Sequence, residues 1–299
     1  MHFTFSAAPL STRGRAAKVV LAMIVLASLI LAARVALGFT EDEFQRHVAA
    51  VKAKLPSDDF TVVVQAPFVV IGDEPAERVK ARAVDTVKWA VDRLKAQYFE
   101  RDPQMIIDIW LFRDKDSYEK HAAELFAAKP HTPYGYYSSQ HKSLVMNIAT
   151  GGGTLVHEIV HPFMAANFPE CPAWFNEGLA SLYEQSGEEK GQIVGRVNWR
   201  LSGLQETIRA GRLQSFENLC GSSTDDFYHR DTGANYGQAR YLCLYLQEQG
   251  LLKKFYDAFR AGAKRDPGGY KTLQTVLGEK DMADFQKRWE RWVLSLKRS

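Results

Sequence analysis

The residues best suited to chemistry are His157 and His161, set four apart in His157-Glu158-Ile159-Val160-His161, with Glu177 sixteen residues further on. On an α-helix, positions i and i+4 lie one above the other, so both imidazoles leave from one face. Glu158 sits about 100° round the same turn, beside that face rather than on it. Two neutral imidazole nitrogens and one carboxylate make a three-ligand zinc site whose fourth position stays open for water. Glu158 is then left over to take a proton from that water. The quintet alone is a moderately specific signal. A second glutamate at the start of a following apolar helix, in Trp174-Phe175-Asn176-Glu177-Gly178-Leu179-Ala180, makes coincidence a poor explanation. The competing reading is structural and metal-free.

Val156 to His161 together with Pro172 to Ala180 resembles the gluzincin metallopeptidases, the clan of thermolysin and the aminopeptidases, and within it the bacterial peptidase MA-like branch. In that branch a Pro-x-Trp-Leu-Asn-Glu-Gly-Leu-Ala run follows the quintet at similar distance. The likeness extends from about Val62 to Trp292, with its specific part confined to residues 154–184. Position by position, it implies His157, His161 and Glu177 as zinc ligands and Glu158 as general base. Related enzymes place a Tyr or His downstream of the glutamate to donate to the oxyanion. Tyr236, in Asn235-Tyr236-Gly237-Gln238, resembles the tyrosine that opens the corresponding helix, after the run Asp231-Thr232-Gly233-Ala234. Core packing is the alternative for Tyr236, and His229 is the weaker candidate in its place. One departure stands out. Pro162 follows the second ligand directly, removing a helical N–H and disfavouring α geometry at His161. The metal helix is therefore expected to bend or end there.

The surrounding elements read as α+β and zincin-like, a small mixed sheet with helices on one side. Thr61 to Val64 and Phe68 to Ile71, Met105 to Phe112, Tyr134 to Tyr137 and Leu144 to Ile148 are β-rich. Glu41 to Leu55, Pro75 to Tyr98 and Asp114 to Phe126 carry helical spacing. Gly151-Gly152-Gly153-Thr154 opens the metal helix, with Thr154 as its expected N-cap. The strand Leu144 to Ile148 is either one lip of the cleft, with an exposed edge, or an ordinary interior strand. Residues 39–185 form this lobe, and residues 186–299 are expected to be helical throughout and to close the cleft. There Gln192 to Ala210 and Tyr236 to Gln249 are amphipathic, and Tyr270 to Leu277 ends at Gly278. Asp281 caps a last helix whose Met282, Phe285, Trp289, Trp292 and Leu296 form one core-facing stripe. Near the ligands, Asn176 and Glu184 flank Glu177; a carboxylate at Glu184 either orients a ligand histidine or is a solvated charge. Ala180 is small enough to let its helix approach the metal helix. His47, His121, His131 and His141 read as surface residues.

Residues 1–38 stand apart. Arg13, Arg15 and Lys18 precede fifteen residues, Val19 to Ala33, without a charge. That is the pattern of a secretory signal, and with Arg34 snorkelling residues 17–37 are just long enough to span a bilayer. A cleaved signal, a retained membrane anchor and a buried core helix all remain open; the first two put the rest of the chain outside the cytoplasm. Four of the 38 basic residues and none of the 35 acidic ones fall in this segment, leaving the remainder one acid in excess. That balance gives no footprint for nucleic acid. Of the three cysteines, Cys171 and Cys220 are compatible with one disulfide in an oxidising compartment, the alternative being that all three are small apolar residues.

Two functions follow. The first is an extracytoplasmic zinc-dependent peptidase acting on peptide or protein substrates. The second is a gluzincin-shaped module that binds a peptide or polymer without cleaving it. Glu158 favours the first, because a metal-holding scaffold has no need of that carboxylate. No Gly-x-Met-Glu-Asn motif is present, which argues against an aminopeptidase.

Overall fold

Phe68-Val69-Val70-Ile71 is apolar without alternation, and a strand with no polar side must be covered on both faces. The computed structural model, which describes residues 38–130, 132–138, 140–229 and 234–298, shows that arrangement. Strands β1 (Thr61–Gln65), β2 (Phe68–Gly72), β3 (Ile107–Phe112), β4 (Gly135–Ser138) and β5 (Ser143–Asn147) form one sheet in the order β1-β2-β3-β5-β4. The central β2, β3 and β5 run parallel, and β1 and β4 flank them antiparallel. Helices α1 (Glu41–Lys52) and α4 (Lys115–Phe126) cover one face through Phe44, Trp110, Phe112 and Tyr118. The other face carries α2 (Ala76–Ala81), a π-helical turn (Arg82–Lys88), α3 (Trp89–Gln97) and α5 (Gly152–Asn167). The expected mixed sheet is present. The one-sided cover is corrected to two.

The remaining elements are α6 (Ala173–Leu182), strands β6 (Ser186–Glu189) and β7 (Gln192–Gly195), then α7 (Leu201–Arg209), α8 (Phe216–Gly221), α9 (Thr224–His229), α10 (Asn235–Glu248), α11 (Leu252–Gly262), α12 (Tyr270–Leu277) and α13 (Met282–Ser295). The chain after Ser186 is thus not helical throughout: β6 and β7 make an antiparallel hairpin. Its turn residues Lys190 and Gly191 have φ of 51° and 76°, the left-handed pair that a tight two-residue hairpin turn demands. The last helix is as read, with Asp281 capping the amides of Ala283 and Asp284, and Met282, Phe285 and Trp289 buried. Leu296 falls just beyond its end. One buried cluster runs from Phe68 in the sheet through Phe163 and Trp174 to Phe259 and Trp289, so residues 39–185 and 186–299 share a core.

Several local expectations are also corrected. Leu144 to Ile148 is the interior alternative: β5 is wholly buried, Ile148 enters a short 3₁₀ turn, and β4 is the edge strand. His121 is buried against Phe112 and His47 pairs with Asp108 at 2.6 Å, so neither is a plain surface residue. Cys171, Cys220 and Cys243 are free thiols, with no Cys171–Cys220 bond. No helix among the described residues is long and apolar enough to cross a membrane. The targeting segment lies, but for Gly38, outside those residues, as do His131 and Asp231 to Gly233.

Candidate metal centre

The site depends on how α5 starts. Gly151, with φ 105° and ψ 165°, turns the chain out of the 3₁₀ turn Ile148–Thr150 in a conformation that suits glycine. The helix therefore begins at Gly152, and Thr154 lies inside it rather than capping it. A Cβ on Gly153 would collide with the carbonyl of Glu184, so this glycine lets the metal helix pass against the end of α6. Downstream, Pro162 does not end the helix. Its missing N–H deprives the Glu158 carbonyl of a helical partner. Phe163 and Met164, both buried, and Asn167 hold the continuation: Asn167 Nδ2 donates to the Phe163 and Arg101 carbonyls, and its Oδ1 accepts from the amides of Glu100 and Arg101.

Helix α6 then brings Glu177 to the histidines, and Gly178 packs against Ala239 of α10 on its other side. Ligand atoms of His157, His161 and Glu177 all lie within 4.8 Å of one another. Nε2 of His157 is 3.2 Å from Oε2 of Glu177, and Nε2 of His161 is 3.9 Å from Oε1. A tetrahedral shell with bonds of about 2.0–2.1 Å has edges of roughly 3.3–3.4 Å; the His157–Oε2 spacing is near this and the others are wider, so the group could hold a metal ion. The 3.2 Å approach is an ion-pair distance without hydrogen-bond geometry, and buried Oε2 has no hydrogen-bond partner among the described residues. A carboxylate oxygen withdrawn from water and left unpaired beside two imidazoles fits a metal ligand.

Of the two second ring nitrogens, that of His161 has a hydrogen bond and that of His157 only a carboxylate nearby. Nδ1 of His161 meets Asn176 Oδ1 at 3.0 Å; with the ring N–H there, Nε2 keeps its lone pair. Nδ1 of His157 lies 3.4 Å from Glu184 Oε1, again closer to an ion pair than to an aligned hydrogen bond. Glu184 is half-buried and ion-paired rather than a solvated charge. Arg200 grips it from Nη2 to Oε1 at 2.7 Å and from Nε to Oε2 at 2.9 Å, and Asn198 donates to Oε2 at 2.9 Å.

These contacts set the charges in the metal-free protein. Burial works against the His157 cation, but the Glu177 and Glu184 carboxylates outweigh it and raise the imidazole to about 10. Burial likewise opposes ionisation of Glu177, yet His157, His161 and Tyr228 bring it down to about 2. Glu184 falls to about 2 because Arg200 and His157 override its burial.

Glu158 is half-buried beside this cluster and lines a cleft of about 910 Å³ with His157, Arg200, Trp199 and Tyr236. It makes no hydrogen bond or ion pair among the described residues. The cleft's other wall includes Thr132, Tyr134 and Gly135, at the start of edge strand β4. Tyr134 O accepts from Asn147 N, so the alternate residues Gly135 and Tyr137 turn their amides and carbonyls away from the sheet. Tyr236 stands in the first turn of α10, with the Arg200 guanidinium 4.9 Å from its ring. His229 is largely exposed and faces Asp225 at 3.8 Å. Tyr228 is the residue the sequence did not announce: its hydroxyl donates to Glu177 Oε1 at 2.6 Å. It lies in a six-residue helix without marked periodicity, and only its proximity to Tyr236 in sequence hinted at it. Compared with known proteins, the chain matches no family model and no curated protein.

Proposed function

We propose that this protein is a gluzincin-type, zinc-dependent peptidase. The observation that carries the reading is the convergence of His157, His161 and Glu177, with Glu158 beside them on an open cleft. A zinc ion held there supplies Lewis acidity and lowers the pKa of a water towards about 7. The Glu158 carboxylate takes the proton of the attacking water and passes it to the nitrogen of the leaving amine. The Tyr236 hydroxyl donates to the oxygen that gains charge. The outward amides and carbonyls of Gly135 and Tyr137 pair with the substrate main chain, which gives affinity with little sequence preference. Arg13, Arg15 and Lys18 ahead of an apolar run support a location outside the cytoplasm, with the chain either anchored or released.

Glu158→Gln tests the reaction. The amide keeps the size of the side chain and loses its basic lone pair, so zinc content and folding should persist. Peptide hydrolysis should fall by roughly 10²–10⁴-fold. A variant as active as the parent would end this mechanism. A parent that binds zinc yet cleaves no peptide would support the non-catalytic peptide- or polymer-binding module instead. A reporter fused to the C-terminus and active only in the cytoplasm should stay dark; a bright signal refutes the topology.

A further inference from the structure

The two oxygens of Glu177 are not equivalent. Oε1 accepts a 2.6 Å hydrogen bond from Tyr228, while Oε2 is buried, has no hydrogen-bond partner among the described residues, and lies 3.2 Å from Nε2 of His157. We propose that Tyr228 is a positioning residue that makes Glu177 a one-oxygen metal ligand, holding Oε1 aside so that Oε2 alone faces the ion. This rests on reading His157, His161 and Glu177 as the metal centre.

The physical case has two parts. A hydroxyl donating to a carboxylate at this length forms a strong, charge-assisted bond, which draws electron density towards Oε1. Two-oxygen coordination would have to break that bond or pull Tyr228 with it, and Tyr228 is held from two sides. Its ring packs edge-on against Phe227 at 5.5 Å and lies tilted against Tyr236 at 6.4 Å. Asn235, at the start of α10, donates from Nδ2 to the Phe227 carbonyl at 3.0 Å, tying α9 to the helix that packs on α6. A shell with one oxygen from Glu177 has three protein donors, the number that leaves a fourth position for water in zinc hydrolases.

Cobalt(II) reads this directly, because its visible absorption is several-fold more intense with four ligands than with five. The full chain should bind one Co²⁺ with an intense band. Tyr228→Phe removes only the donor, so the metal-free variant should keep its fold and melt somewhat earlier than the parent, because the Glu177 carboxylate loses a hydrogen bond. It should bind Co²⁺ and Zn²⁺ about 10–100-fold more weakly, with a weakened band as the second oxygen enters. Equal affinity and an unchanged band in Tyr228→Phe would overturn the role of Tyr228 and leave the metal centre standing. A parent that takes up neither ion would remove the centre and this inference together. If the Phe variant does not fold, a crystal structure of the zinc-loaded parent decides. Oε1 still on Tyr228 upholds the proposal, and both oxygens on the ion refute it.

Discussion

Arg200 and Glu184 meet through two parallel charge-assisted hydrogen bonds, and the carboxylate so fixed stands 3.4 Å from Nδ1 of His157. The guanidinium matches the carboxylate with a rigid fork that a lysine cannot reproduce. A residue twenty-three positions beyond Glu177 is thereby placed to orient the first histidine. Glu184→Gln should lower zinc affinity by about 10–100-fold while the metal-free fold survives. Arg200→Lys should act in the same direction because it keeps the charge and loses the fork. Titration against a chelator measures both; affinities equal to the parent's would show that the contact does not orient the ligand.

Tyr236 and His229 separate by placement. Tyr236 lines the cleft, whereas His229 faces solvent and Asp225. Tyr236→Phe should slow the chemical step by on the order of 10²–10³-fold with zinc content unchanged. His229→Ala should leave the rate alone. The reverse pattern in single-turnover kinetics would transfer the oxyanion role to His229.

Gly153 offers a steric test. A methyl group there would strike the Glu184 carbonyl, and overpacking of this kind costs about 1–3 kcal/mol. Gly153→Ala should therefore lower the melting temperature and weaken zinc binding, since the residue that moves orients His157. At Gly203 a Cβ meets nothing within 4 Å, so Gly203→Ala in helix α7 should be neutral or stabilising. Calorimetric melts of the two variants should diverge; a Gly153→Ala protein as stable as the parent contradicts the close approach.

Protonation should oppose metal uptake. In the metal-free protein the raised His157 contributes stability that is complete below its ordinary value of 6.5 and is lost as pH climbs through about 10. The lowered Glu177 and Glu184 contribute above their ordinary 4.5 and lose that contribution as pH falls through about 2. Zinc needs the neutral imidazole, so loading near pH 7 should release about one proton per ion. Titration calorimetry in buffers of different ionisation enthalpy measures it. Buffer-independent heats would show that His157 is already neutral.

The helix carrying His157 and His161, the glutamate helix and the last amphipathic helix were legible because periodicity and local spacing specify them. What escaped the sequence depended on long-range partners. Glu184 stayed open between a histidine-orienting carboxylate and a solvated charge until Arg200 and Asn198 arrived from beyond the hairpin. His121 sat among charged neighbours in sequence, yet the sheet's second helical layer buries it against Phe112. The β6–β7 hairpin was hidden in a run of charged residues, where Lys190 gives little hint of a left-handed turn. Pro162 misled because the local rule is correct about the lost hydrogen bond but silent about the packing of Phe163 and Met164 that outweighs it. Tyr228 carried no signal at all beyond being a tyrosine near another.

The shared core has a mechanical meaning for the cleft. Trp174 of the glutamate helix stacks on Phe259 of α11, Phe175 meets Phe255 edge-on, and Phe99 of the sheet lobe reaches Tyr256 of the same helix. Aromatic rings interlocked across the seam brace the two halves against each other as a stiff jaw. A stiff jaw selects by exclusion. On the proposed function it would admit a strand-like segment thin enough to lie along β4, from a loose tail or an unfolded stretch, and would turn away the same sequence held in a helix or a packed domain.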